Sequence, residues 1–117
     1  MNYIHHLNKW YWGTTETIVA EDGKSIIKIS IDEDCPDSAL ISGLSVHESV
    51  RNQNRGNEIL KEAEETIHKN KNIHSINITA EIPWIVEWYK RNNYKSLTIK
   101  HDNDVVWLQK KINRKTI

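Results

Sequence analysis

Apolar residues follow two rhythms along this chain, and the clearest change of rhythm lies between Leu40 and Glu64. Leu40, Ser42, Leu44 and Val46 alternate with Ile41, Gly43 and Ser45, an uncharged run that predicts a strand largely buried on both faces. The run breaks at His47-Glu48-Ser49, and the polar stretch Arg51-Asn52-Gln53-Asn54-Arg55-Gly56-Asn57 follows. Ile59, Leu60, Ala63 and Ile67 then form one stripe at helical period. The unit is strand, loop, helix.

The flanks repeat both rhythms. Thr17–Ala20 and Ser25–Ile31 are β-branched runs around Glu21-Asp22-Gly23-Lys24, and an Asp-Gly pair between such runs predicts a hairpin. Asp32–Ser38, with Pro36 and the acids Asp32, Glu33, Asp34 and Asp37, reads as a surface turn; the acids are either solvated or an attraction for a cationic substrate. Lys69-Asn70-Lys71-Asn72 ends the helix, and Ile76–Ala80 has period two. Glu81-Ile82-Pro83 opens a second helix, with Trp84, Ile85, Trp88 and Tyr89 on its apolar side and Asn93 suited to a left-handed end. Tyr94–Lys100 and Val105–Ile112, joined by His101-Asp102-Asn103-Asp104, complete the pattern as a closing hairpin, and Asn113–Ile117 reads as a frayed tail. Residues 1–16 hold Tyr3, Trp10, Tyr11 and Trp12 without a clear period, which fits a strand or arm on the sheet, an acceptor-site wall or a dimer contact.

The order β-β-β-α-β-α-β-β specifies an α+β fold in a single domain spanning 1–117, one mixed sheet with helices on it. A helix joining Leu40–Val46 to Ile76–Ala80 makes those strands parallel neighbours with a right-handed crossover.

The loop before the first helix has a chemical use. The first N–H groups of a helix lack partners and carry the positive end of its dipole, so a phosphate fits there. Asn52, Asn54 and Gly56 tolerate the backbone geometry such a loop needs. A plain strand-to-helix connection fits the loop equally well.

With its flanks, the stretch Leu44-Ser45-Val46, Arg51 to Gly56, Ile59-Leu60 and Ala63-Glu64 resembles the acyl-CoA-binding motif of the GNAT superfamily of N-acetyltransferases. That motif is an apolar-x-Val strand, Arg or Gln-x-x-Gly-x-Gly or Ala, then a helix with paired aliphatic residues. Arg51 takes the Arg/Gln place and Gly56 the last place; Asn54 stands at the first glycine and Arg55 at an aliphatic position. Downstream, Trp88-Tyr89-Lys90-Arg91-Asn92-Asn93-Tyr94 looks like the family's Tyr-Lys-x-x-Gly-Phe, with Asn93 for glycine and Tyr94 for phenylalanine.

The resemblance spans residues 17 to 112. It implies a GNAT-like mixed β-sheet with helices on both faces and an acyl-CoA site where the parallel strands splay. It implies acetyl-CoA as co-substrate, bound by Leu44, Val46, Arg51, Asn52, Gln53, Asn54, Arg55, Gly56 and Asn57, with charge from Arg51 or Arg55. A main-chain N–H at the end of the Leu44–Val46 strand would meet the thioester carbonyl. Tyr89 takes the general-acid place, and its phenol, of ordinary pKa about 10, suits a departing thiolate; beside Trp88 it also reads as core. The base is undecided among His47, Glu48, Glu81 and water.

Composition narrows the rest. At 117 residues one core is expected, and 16 basic against 16 acidic residues draw the chain neither to nucleic acid nor to an anionic membrane. A single cysteine, Cys35, excludes an internal disulfide and fits the cytoplasm. No run approaches the ~20 apolar residues of a membrane span, and no signal-peptide core opens the chain. The adjacent pair His5-His6 points to opposite faces of a strand, so no metal is expected; His68, His74 and His101 read as surface. The expected activity is acetyl transfer to a primary amine, on a small molecule or a protein, by direct attack in a ternary complex, with a homodimer plausible. The alternative is a non-catalytic acyl-CoA-binding or protein-interaction module.

Overall fold

The computed structural model describes residues 1–97 and 105–113. The expected turn at 101–104, His101 with it, and the tail beyond Asn113 lie outside them. Among the described residues, seven strands form one mixed sheet in the order β1-β2-β3-β4-β5-β7-β6. They are β1 (Tyr3–Trp10), β2 (Gly13–Ala20), β3 (Ser25–Asp32), β4 (Ser38–Val46), β5 (Ser75–Ala80), β6 (Lys95–Ser96) and β7 (Val106–Lys111). Helix α1 (Arg55–Lys69) crosses from β4 to β5, α2 (Pro83–Arg91) follows β5, and a 3-10 turn covers Glu48–Val50.

The Asp-Gly signal is realised between β2 and β3, with Gly23 at φ 72° and its N–H bonded to the Ala20 carbonyl at 2.8 Å. The strand there is longer than its β-branched run, starting at Gly13, and residues 3–10 pair with all of it as β1. Exposed side chains on nearly every position of β1 explain why its sequence shows no period.

Strand periodicity sorts the core onto one side. Ile18 and Ile27 pair, and Ile29, Ile41, Ile78 and Leu108 form a row across four strands; all are buried. Against them pack Ile59, Leu60, Ala63 and Ile67 of α1 and Val86 and Tyr89 of α2. A fully buried Ile or Leu contributes roughly 1.5–3 kcal/mol, so this row and the α1 stripe carry much of the stability. Both helices lie on this face: Glu64 of α1 accepts from Tyr94 Oη, just after α2, at 2.8 Å and from Lys110 Nζ of β7 at 2.9 Å.

The α+β mixed sheet is therefore as expected, but two details differ. The helices share one face rather than flanking both. Likewise β4 is buried on one face only: Ala39 and Ile41 are inside, while Leu40 and Ser42 are exposed on the uncovered side. Among the described residues no helix is long and apolar enough to cross a membrane.

The β1 edge is tied to the core by charge. His5 contacts Glu16 of β2 at 2.6 Å and Glu62 of α1 at 2.9 Å, so the imidazolium donates through both ring nitrogens. Partial burial opposes that charge, but the two carboxylate hydrogen bonds outweigh it and hold the His5 pKa above 6.5. A raised folded pKa gives stability that is fully present below the unfolded value and is lost as pH rises through the folded one. Thermal unfolding should therefore show a greater loss of stability between about pH 5.5 and about pH 9 in the unmodified chain than in His5→Gln. Equal pH slopes for the two proteins would remove His5 from this role.

Candidate functional site

A groove of about 730 Å³ opens where β4 leaves β5. The parallel ladder runs from Ser38↔Ser75 to Ile41↔Ile78 and stops, although β4 continues to Val46 and β5 to Ala80. Into the opening project Leu44, Ser45 and Val46 of β4, Val50, the loop residues Arg51, Asn52 and Asn54, the first turn of α1, and Trp84, Ile85 and Trp88 of α2. The residues singled out for the cofactor are brought together there: Leu44, Val46, Arg51, Asn52, Asn54, Arg55, Gly56 and Asn57 all line one groove. Gln53 lies outside the lining.

The loop backbone follows from its asparagines. Asn52 (φ 65°) and Asn54 (φ 61°) are left-handed, a conformation that Asn tolerates better than other side-chain-bearing residues. Asn54 caps α1, and the first bond of the helix is Glu58 N–H to Asn54 C=O at 3.1 Å. The N–H groups of Arg55, Gly56 and Asn57 precede that bond, so the positive end of α1 faces the groove. The side-chain oxygen of Asn54 caps no main-chain N–H of the helix; it accepts instead from the side chain of Asn57, through Nδ2.

Gly56 of α1 faces Trp88 of α2 across the groove. A Cβ there would stand 3.5 Å from the Trp88 ring and 3.9 Å from Val46 Cγ2, ordinary contact distances. A methyl fits; a longer side chain fills the groove.

The arginines divide their roles. Arg51 is exposed and donates from Nε to the Val46 carbonyl at 3.2 Å. Arg55 turns its side chain away, under the β2–β3 turn, with 7% of its surface exposed. Its two terminal nitrogens donate to Asp22 Oδ2 at 2.9 Å and Oδ1 at 2.8 Å. The guanidinium, with help from the Lys24 N–H, lowers the Asp22 pKa to about 2, so the pair is ionised throughout the neutral range and protonates only in strong acid. The charge that the resemblance implies for Arg55 is thus engaged by Asp22.

Tyr89 does not line the groove. It is 4% exposed, beneath Trp88 (ring centroids 4.8 Å apart) and against Tyr94 (5.6 Å). Burial pushes its phenol up to about 12, so it is neutral and holds its proton at physiological pH. His47, Glu48 and Glu81 are exposed and outside the groove lining. His47 Nδ1 accepts from the Ser49 N–H at 3.1 Å, which closes the turn after β4. Ser45, Val50 and Asp22 are not among the residues singled out for the site: Ser45 belongs to the expected strand and Asp22 to the expected hairpin turn, and Val50 carries no signal in the sequence.

No protein-family model and no curated protein sequence matches the chain. Solved structures do match it. An acetyltransferase from Bacillus subtilis in complex with CoA superposes with TM-score 0.71 at 15% identity, covering 96% of this chain and 100% of that one. An IAA acetyltransferase from Bacillus cereus gives 0.69 at 14% identity, over 86% of this chain and 79% of the other. A GNAT-family acetyltransferase from Staphylococcus aureus gives 0.65 at 15% identity, over 86% and 68%. At these identities the likeness is one of architecture, and it is clear: the chain has the fold of the GNAT acetyltransferases.

Proposed function

We propose that the chain is an N-acetyltransferase that moves an acetyl group from acetyl-CoA directly to a primary amine. The observation that carries this reading is the groove itself, in which the unpaired end of β4, the left-handed loop and the N-terminus of α1 converge. Acetyl-CoA would supply the activated acyl group. The Arg55, Gly56 and Asn57 N–H groups suit its pyrophosphate, with Arg51 adding charge outside. The edge of β4 beyond Ile41 carries main-chain N–H groups free of a parallel partner on the β5 side, suited to a carbonyl oxygen as it gains charge.

Attack by the amine forms the new C–N bond and breaks the C–S bond, so one proton must leave nitrogen and one must reach sulfur. Tyr89 is the proposed donor to sulfur, because its phenol is neutral and its ring packs edge-on against Trp88, which lines the groove. His47, Glu48, Glu81 or water takes the proton from the amine. The single exposed cysteine and the balanced charge fit a cytoplasmic enzyme.

A second reading, a non-catalytic acyl-CoA-binding module, is favoured by the burial of Tyr89 and the engagement of Arg55. Two measurements separate them. In calorimetric titration acetyl-CoA should bind the unmodified chain, and Gly56→Glu, which fills the groove and adds a negative charge, should weaken binding by at least about tenfold. Retained affinity would take the pyrophosphate off this loop. Tyr89→Phe should lower turnover with an amine acceptor by roughly 10²-fold or more, within the range for general-acid groups, while acetyl-CoA affinity holds. Unchanged turnover in that variant would leave Tyr89 a core residue.

A further inference from the structure

We propose that Asp22, in the β2–β3 turn and outside either motif, is a positioning residue that sets the shape of the cofactor loop through Arg55; the proposal rests on the acyl-CoA reading of the groove. The loop between β4 and α1 is held at both ends by one short turn. At its start the His47 N–H donates to the Lys24 carbonyl at 2.8 Å. At its end Arg55 forks onto both oxygens of Asp22, and its Nη2 also lies 3.4 Å from Ser25 Oγ. The turn fixes the separation between the last residue of β4 and the first turn of α1.

The turn is rigid enough for this. Asp22 Oδ1 also accepts from the Lys24 N–H at 3.0 Å, and Gly23 holds a left-handed φ of 72°. A planar guanidinium joined by two parallel bonds fixes direction as well as distance. As a device for stability alone the pair is poor, since Arg55 is buried with Nε lacking a partner among the described residues. What it does accomplish is geometric. It orients the residue immediately after left-handed Asn54, whose N–H begins the phosphate-facing turn.

The test uses Asp22→Asn, which keeps the size and the acceptor for Lys24 N–H but removes the charge, and Arg55→Lys, which keeps the charge but not the fork. Calorimetry with acetyl-CoA should show Kd raised about tenfold in Asp22→Asn, with a partial rise in Arg55→Lys. The double variant should be no worse than Asp22→Asn, because the two residues act as one unit. Turnover of Asp22→Asn at saturating acetyl-CoA should stay within about twofold of the unmodified chain, the effect appearing in KM; circular dichroism checks that each variant is folded. Equal affinity in Asp22→Asn and the unmodified chain would overturn the proposal. So would tighter binding, which would mean that a released Arg55 becomes a phosphate ligand. Failure of the unmodified chain to bind acetyl-CoA would overturn the groove reading and this role together, which separates the two failures.

Discussion

The end of the parallel ladder at Ile41↔Ile78 is the constraint on which the rest of the molecule depends. Parallel neighbours need a crossover, and α1, at 15 residues, spans about 22 Å while doing so. Its N-terminus therefore lies at the carboxyl ends of β4 and β5, the end of a parallel pair where ligands collect. Had pairing continued to Val46, the backbone edge of β4 would be spent on β5 and the dipole of α1 would face a closed sheet. The gap exposes both.

Holding the gap open requires support from outside the two strands. On one side β3 pairs β4 as far as Ser25↔Val46, with the register shifting between Ile26 and Lys28. On the other, β7 pairs β5 along its whole length. Each diverging strand thus keeps one firm neighbour after losing the other. Glu64 completes the arrangement from below, receiving Tyr94 Oη and Lys110 Nζ, so α1, the segment after α2 and β7 meet at one carboxylate. Tyr94 carries a hydroxyl where phenylalanine is the motif residue, and that hydroxyl is what Glu64 accepts.

Much of this was legible because it is local. The stripe on α1, the Asp-Gly hairpin, Pro83 at the start of α2, and the left-handed asparagines at 52, 54 and 93 each follow from the chemistry of a few adjacent residues. The groove residues were legible for the same reason, since strand, loop and helix start are contiguous in the chain. What could not be read depends on distant partners. Leu40 is as apolar as Ile41, yet only one faces helices, and which one is decided by α1 and α2 docking on the same side. β1 shows no period because it buries almost nothing and is held by pairing and by His5. The type of residue 55 showed a positive charge; its direction was set by Asp22, 33 positions away.

Asn54 and Arg55 stand where the motif that the sequence resembles has a glycine and an aliphatic residue, and the two are linked. Glycines make a phosphate loop by permitting tight geometry, and they leave the chain free to adopt other shapes as well. Asparagine at 54 permits the same left-handed turn with a smaller set of alternatives, at a modest steric cost that glycine would not bear. The buried guanidinium then removes much of the freedom that remains, by fastening the next residue to a turn already fixed by Gly23 and Asp22. A loop that lacks one glycine is in this way shaped from outside, by the neighbouring hairpin, rather than by its own permissiveness. The route passes through a single ion pair that touches no part of the groove on its Asp22 side.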